Sequence, residues 1–147
     1  MRTATLAAAL LVSLAACGGD GGLSLTEPHQ LDLEACALTA IDVTGQWVVE
    51  EWGCEGRPDV NGGPNCDGSK LRFADGDALT IAATGAESFM FTIGGESISA
   101  MASSVGASGR FSDNDSISVE GCADGRVVVL YMDSEFGDAF AAYAHRR

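Results

Sequence analysis

From residue 46 onward the chain alternates apolar and polar positions with a period of two, and turn residues cut that alternation at short intervals. Phe89, Phe91 and Ile93 alternate with Met90 and Thr92. Ile117 and Val119 alternate with Ser116, Ser118 and Glu120, and Leu79 and Ile81 with Ala78, Thr80 and Ala82. Successive side chains of a strand point to opposite faces, so each segment has one large apolar face and one small or polar face. That is the pattern of an antiparallel sheet covered on one side. It predicts strands over Gln46–Trp52, Lys70–Phe73, Ala78–Ala83, Phe89–Ile93, Ile98–Ser104, Arg110–Phe111 with its neighbours, Ser116–Glu120, Val127–Met132 and Ala139–His145. The stretches ADGD, TGAES, GGES, VGASG, SDND, ADG and EFGD read as turns, because Asp, Asn and Gly tolerate turn backbone angles. VVVLYM is apolar on both faces and predicts the most covered strand.

Two segments are less regular. TEPHQLDLEACAL predicts a short helix, with Thr26 as its cap and Leu31, Ala35 and Leu38 on one face. DAFAAYAHRR fits a helix capped by Asp138 and ending in basic residues, or a closing strand, which a barrel requires. The expected fold class is all-β, a small antiparallel up-and-down β-barrel with a short helix before the first strand.

The amino-terminal stretch MRTATLAAALLVSLAA has one basic residue and a short apolar body, which predicts an export signal over 1–16. Leu14-Ala15-Ala16-Cys17, followed by Gly18, resembles the lipobox of bacterial lipoproteins. That resemblance implies cleavage before Cys17, acylation of Cys17 and attachment to a membrane through the acyl chains. Two or three such chains hold firmly where one does not. Residues 17–30 then form a Gly-rich tether, and residues 31–147 one domain. Gly18, where an Asp favours inner-membrane retention in proteobacterial sorting, leans the expected location towards the outer membrane of the cell envelope. No other stretch is long and apolar enough to predict a membrane-spanning helix.

Charge and cysteines narrow the partners. The chain has 21 acidic and 8 basic residues, a net charge of −13, and removal of Arg2 makes it one unit more negative. Phosphate backbones repel such a domain, so no nucleic-acid partner is expected. Setting Cys17 aside leaves Cys36, Cys54, Cys66 and Cys122, an even set that predicts two disulfides in an oxidising compartment, with three possible connectivities. Cys54 and Cys66 bracket EGRPDVNGGPN, a loop with little else to hold it, which favours Cys54–Cys66 and leaves Cys36–Cys122. A zinc site would need CxxC spacing or nearby histidines, which these cysteines lack.

Thr44-Gly45-Gln46-Trp47, opening the first long strand, resembles the calycin group of lipocalins, avidin-like proteins and small barrel inhibitors of bacterial proteases. There the Gly-x-Trp triplet starts the first strand of an up-and-down barrel. The resemblance implies that Trp47 closes the barrel floor beneath a terminal arginine, Arg146 or Arg147. Trp52 lies five residues on, so on a regular strand it faces away from Trp47. Beside Cys54 and the loop from Glu55 to Asn65, it is expected at the barrel mouth, covering a pocket, meeting a partner or packing on the disulfide loop.

Catalytic chemistry finds no foothold in the pattern. His29 and His145 are the only histidines, and Glu50 and Glu51 are adjacent, so they point to opposite faces. GASG, from Gly106 to Gly109, is one residue short of a nucleophile elbow. Asp113 with Asp115, and Asp59, Asn61, Asn65 and Asp67, read as turn chemistry before calcium ligands. The expectation is a non-enzymatic envelope lipoprotein without metal or cofactor. Its barrel holds an apolar small ligand or, in the alternative, meets an envelope protein as an interaction module. Labelling with radioactive palmitate checks the anchor: the wild-type chain takes up label and Cys17→Ser does not. Label retained by that variant sinks the lipobox reading.

Overall fold

A computed structural model describes residues 29–31, 33, 36–55 and 66–147; the expected signal peptide, Cys17 and most of the tether lie outside them. The described chain forms β1 (His29–Gln30), β2 (Gly45–Val49), β3 (Gly53–Cys54), β4 (Ala78–Ala83) and β5 (Ser88–Ile93). These are followed by β6 (Glu96–Ala102), β7 (Gly106–Arg110), β8 (Ser116–Gly121), β9 (Val127–Met132) and β10 (Ala139–Arg146). Strands β2 and β4 to β10 pair antiparallel in sequence order, and β10 pairs back onto both β9 and β2, closing an eight-stranded up-and-down barrel. The only helix among the described residues is a 3-10 turn, Gly68–Lys70, whose cap Asp67 accepts from the Ser69 amide. The all-β expectation holds, and residues 139–146 are the closing strand.

The alternation sorts inside from outside. Leu79 and Ile81, Phe91 and Ile93, Ile117 and Val119, and Val127 and Val129 are buried in the barrel interior. Their sequence neighbours Thr80, Thr92, Ser118 and Leu130 lie on the outer face, partly exposed. Eight strands leave an interior just wide enough for side chains to fill. Here Trp47, Tyr131, Phe91 and Phe140 supply the bulk of that filling, all under 2% exposed. VVVLYM is covered on both sides only at its start, since Leu130 is half-buried and Met132 is 49% exposed on the outer face. Val128 faces outward against Tyr143, and Leu31, Leu33 and Cys36 pack over this pair in a second, outer cluster.

That outer cluster corrects the helix expected around Leu31 to Leu38. The described residues of the segment hold no helix. His29–Gln30 pairs parallel with Gly53–Cys54, the Leu31 amide donates to the Cys54 carbonyl, and Leu38 bridges Cys122. Leu31 and Leu33 seat on the outer wall as a strap, and the Cys36 amide donates back to the Leu33 carbonyl at 3.1 Å. The cysteines pair as Cys36–Cys122 and Cys54–Cys66. The first pins the strap to the end of β8, and the second closes the excursion after β3.

Two further expectations fail for identifiable reasons. Lys70–Phe73 is not a strand: Gly68–Lys70 is the 3-10 turn, and β2 pairs directly with β4. The string GASG is not a turn but the heart of β7. Its small residues reflect crowding: a Cβ on Gly109 would stand 2.6 Å from the Ser99 carbonyl oxygen and one on Gly106 1.8 Å from that of Val119. The backbone of β7 approaches its neighbours too closely for larger residues.

The two disulfides differ in the chain they close, 86 residues of separation against 12. If unfolded-chain entropy dominates, loss of Cys36–Cys122 costs about 4–5 kcal/mol and loss of Cys54–Cys66 about 3 kcal/mol. Urea unfolding of the two double-serine variants at neutral pH checks the order. An equal or larger cost for the shorter loop overturns it.

Candidate functional site

The floor of the barrel is built around Trp47. Its ring is fully buried, and its indole nitrogen donates to the Val43 carbonyl at 2.9 Å. Arg146 lies over the ring with its guanidinium carbon 4.6 Å from the centroid. It donates to the Thr44 carbonyl at 2.9 Å and the Asp42 carbonyl at 2.6 Å. The Asp42 carboxylate accepts from the Thr44 hydroxyl and amide, which holds it below the usual carboxylate range and bends the chain into the floor. Gly45 is needed at this bend. Its φ is +128°, a region that strains residues with a side chain, and a Cβ there would meet Arg146 Nη1 at 2.9 Å.

The other end is closed by aromatic rings. Strand β2 stops at Val49, and the Trp52 amide donates to Asp75 as the chain turns inward. Trp52 is therefore 3% exposed and shares the core with Trp47; it does not stand at an open rim. The expectation of opposite faces assumed an unbroken strand. Trp52 stacks on Phe73 at 6.2 Å, and Phe73 packs edge-on to Tyr131 at 5.3 Å and beside Phe111 at 5.8 Å. Its indole N–H is buried and meets no hydrogen-bond partner among the described residues.

A polar latch sits over those rings. Arg72, in the segment between the 3-10 turn and β4, reaches Glu96 at 3.2 Å, Asp115 at 2.8 Å and Asp113. Asp115 is 5% exposed; it also accepts from the Tyr131 hydroxyl and, at 2.9 Å, from the Ser134 amide. Burial works to raise the Asp115 pKa, but the Tyr131 hydroxyl, Ser134 and the Arg72 charge together hold it below the ordinary carboxylate value. Burial, and then the hydrogen bond to Asp115, push the Tyr131 pKa up, so the phenol stays neutral. The acids expected in a turn, Asp113 and Asp115, thus clamp an arginine and tie three loops across this end.

The remaining sequence candidates are scattered. His145 and Glu50 are 3.4 Å apart on the outer wall, both well exposed. Asp67 caps the 3-10 turn, while Asp59, Asn61 and Asn65 lie outside the described residues. No group of three or more His, Cys, Asp or Glu among the described residues could hold a metal ion. Glu55 is brought to a different place: the rim of a groove of about 540 Å³ on the barrel's outer face, with Met101, Ser108, Arg110, Ser118, Leu130 and Met132 among its lining. A shallower hollow of about 520 Å³ flanks the latch between Arg72, Glu96 and Phe111.

The alternation marks Ser108, Ser118 and Leu130 as outward residues, yet their grouping depends on register, which sequence does not state. Arg72 escaped notice because its partners lie 24 to 43 residues away. No protein family, curated protein or solved structure matches this chain.

Because the Asp115 pKa is depressed in the fold, its contribution is fully present above the unfolded value near 3.8 and fades as pH falls through the lower folded value. Asp115→Asn should therefore cost about 2–3 kcal/mol at pH 7, the range for hydrogen bonds to a charged group. Denaturant unfolding across pH 2 to 7 should show the two proteins converging below about pH 4. A constant gap over that window refutes the latch as an ionic device.

Proposed function

We infer that this chain is a non-enzymatic interaction module, a filled β-barrel that meets a partner on its outer surface. The observation that carries this reading is the interior. Trp47, Tyr131, Phe91 and Phe140 occupy it together with Leu79, Ile81, Ile93, Ile117 and the valines of β9. The Arg146–Trp47 pair closes one end, and the Arg72 latch over Phe111 and Tyr131 closes the other. A barrel that holds an apolar ligand needs space at its centre, and here side chains fill it. Ligand pockets for small molecules span about 300–1,000 Å³, and the hollows of about 540 Å³ and 520 Å³ are lined by residues of the outer wall and of the latch end.

The same reading places the domain at the bacterial cell envelope, held to the outer membrane by acyl chains on Cys17. The support is the match of LAAC-G to the lipobox, together with two disulfides that suit an oxidising compartment. The compact outer surface, acidic overall, suits work beside a membrane without insertion.

Trp47 and Trp52 are the chain's two tryptophans and both are buried in the barrel core, so they report directly on occupancy. Titration with the neutral apolar dye N-phenyl-1-naphthylamine should give no saturable energy transfer from tryptophan to dye. A saturating, one-to-one signal that persists when Ser118→Trp fills the outer hollow overturns the filled-barrel reading in favour of an internal apolar ligand.

A further inference from the structure

The described chain on either side of Cys36 is attached to the barrel in two different ways. After Cys36 the attachment is firm. The Thr39 amide donates to the Gly121 carbonyl, the Ala123 amide donates to the Ala37 carbonyl, and Ile41 packs against the barrel core. Gly121 makes room for this contact, since a Cβ there would stand 2.6 Å from the Thr39 carbonyl oxygen. Before Cys36 the described attachment is slighter. His29–Gln30 pairs with Gly53–Cys54, and the Leu31 amide donates to the Cys54 carbonyl. Leu31 and Leu33, both half-buried, pack on the outer cluster of Cys122, Val128 and Tyr143, which is separate from the barrel core.

The Cys36–Cys122 disulfide stands at the boundary between these two stretches. A segment with so few contacts is ordered against its own conformational entropy, and a covalent link at its end offsets that cost. Cys122 is fully buried and Cys36 half-buried, so a thiolate reaches the bond through Cys36. The other disulfide is built into the barrel itself. Cys54 is fully buried in β3, between β1 and β10, and Cys66 packs against the core.

We propose that Cys36–Cys122 is a thiol-operated catch: a dithiol reductant opens it, Leu31 and Leu33 lift off the wall, and Val128 and Tyr143 are uncovered while the barrel stays closed. One thiolate of the reductant attacks the Cys36 sulfur, and the S–S bond breaks with its electron pair leaving on Cys122. The second thiol then displaces Cys36. The reductant ends as a disulfide, and the two cysteines take up its two protons. Closure does not depend on the catch, because β10 pairs with β9 and with β2 through residues that the strap does not enter. What opens is an apolar strip of Val128 and Tyr143, with Leu130 beside them in the same cluster. Arg126, 4.0 Å from the Tyr143 ring centroid, stays as a partial cover. The catch goes beyond the interaction-module reading and does not require it.

The chain's two tyrosines separate the outcomes: Tyr143 belongs to the cluster under the strap, and Tyr131 is 1% exposed in the core. The full chain, with any thiol at Cys17 blocked beforehand, is reduced with dithiothreitol without denaturant, alkylated with iodoacetamide and nitrated with tetranitromethane. Cys36 and Cys122 should be alkylated before Cys54 and Cys66. Tyr143 should then be nitrated about tenfold faster than in the oxidised chain, as for a site released from local protection, with Tyr131 unchanged. Hydrogen exchange of the reduced chain before alkylation should show the Leu31 amide losing protection while the amides of β9 keep theirs. Cys36→Ser/Cys122→Ser, which carries no adduct, should match the alkylated chain, and the exchange measurement on wild type decides if that variant does not fold. Unchanged Tyr143 nitration and Leu31 exchange after Cys36 and Cys122 are freed overturn the catch. So does joint exposure of Tyr131 and Tyr143, which would make the disulfide a brace of the whole barrel. Reduction of Cys54–Cys66 ahead of Cys36–Cys122 overturns it as well.

Discussion

Closure of the sheet depends on β10, which must be paired along both edges. On one side it meets β9 over six residues, from Ala139↔Met132 to Ala144↔Val127. On the other side it meets β2 at Ala144, His145 and Arg146 and β3 at Phe140 and Ala141. The chain from Gly45 to Cys54 therefore follows β10 as two short strands with a break between them. The Glu50 amide keeps contact across that break by donating to the Tyr143 carbonyl at 2.7 Å. Buried amides and carbonyls left unpaired are costly, so the run cannot simply leave the sheet. The break is where Trp52 turns inward. One constraint thus sets both tryptophans: Trp47 plugs the floor from the paired strand, and Trp52 plugs the opposite end from the interruption.

Much of this architecture was legible in the alternation, because a strand with one buried face writes its period into the sequence. Ala78–Ala83 and Val127–Met132 were readable to the residue, although the double cover that VVVLYM suggested extends only to Val128 on the outer face. The misreadings share a cause, which is that local composition cannot report tertiary crowding. Gly106 to Gly109 has turn residues because neighbouring backbones leave no room for side chains. Lys70–Phe73 looks like a strand because Leu71 and Phe73 pack on the core, but they do so from a loop. Trp52 was misplaced because parity counting presumes a continuous strand. The site was less legible than the fold: Glu55 was visible as a residue near a braced loop, whereas Arg110, Met101 and Met132 become neighbours only through register.

Charge takes a particular form in this molecule. The acids outnumber the bases heavily, and three of the six described lysines and arginines hold the fold. Arg72 gathers Glu96, Asp113 and Asp115; Arg126 joins Asp124 and lies 4.0 Å from the Tyr143 ring centroid; Arg146 holds the floor. The guanidinium suits this work, since its planar fork donates in several directions and its face lies flat on a ring. The scarce cations act as fasteners at the barrel ends and over the strap, and the surplus carboxylates are left to keep the surface hydrated.

A small barrel is usually read from the inside, since its interior is the obvious place for a ligand. In this chain the interior is spent on stability. Eight strands enclose little volume, two tryptophans and a run of aromatic rings fill it, and salt-bridged loops seal one end. What the sheet still has to offer lies on its other face, where the alternation that buries one residue presents the next. Small residues there would be featureless on a flat sheet. On a curved wall, with methionines beside serines and with Arg110 and Glu55 lining the same hollow, the same residues make a groove. The period of two therefore specifies a core and a surface at once, and packing has consumed the core.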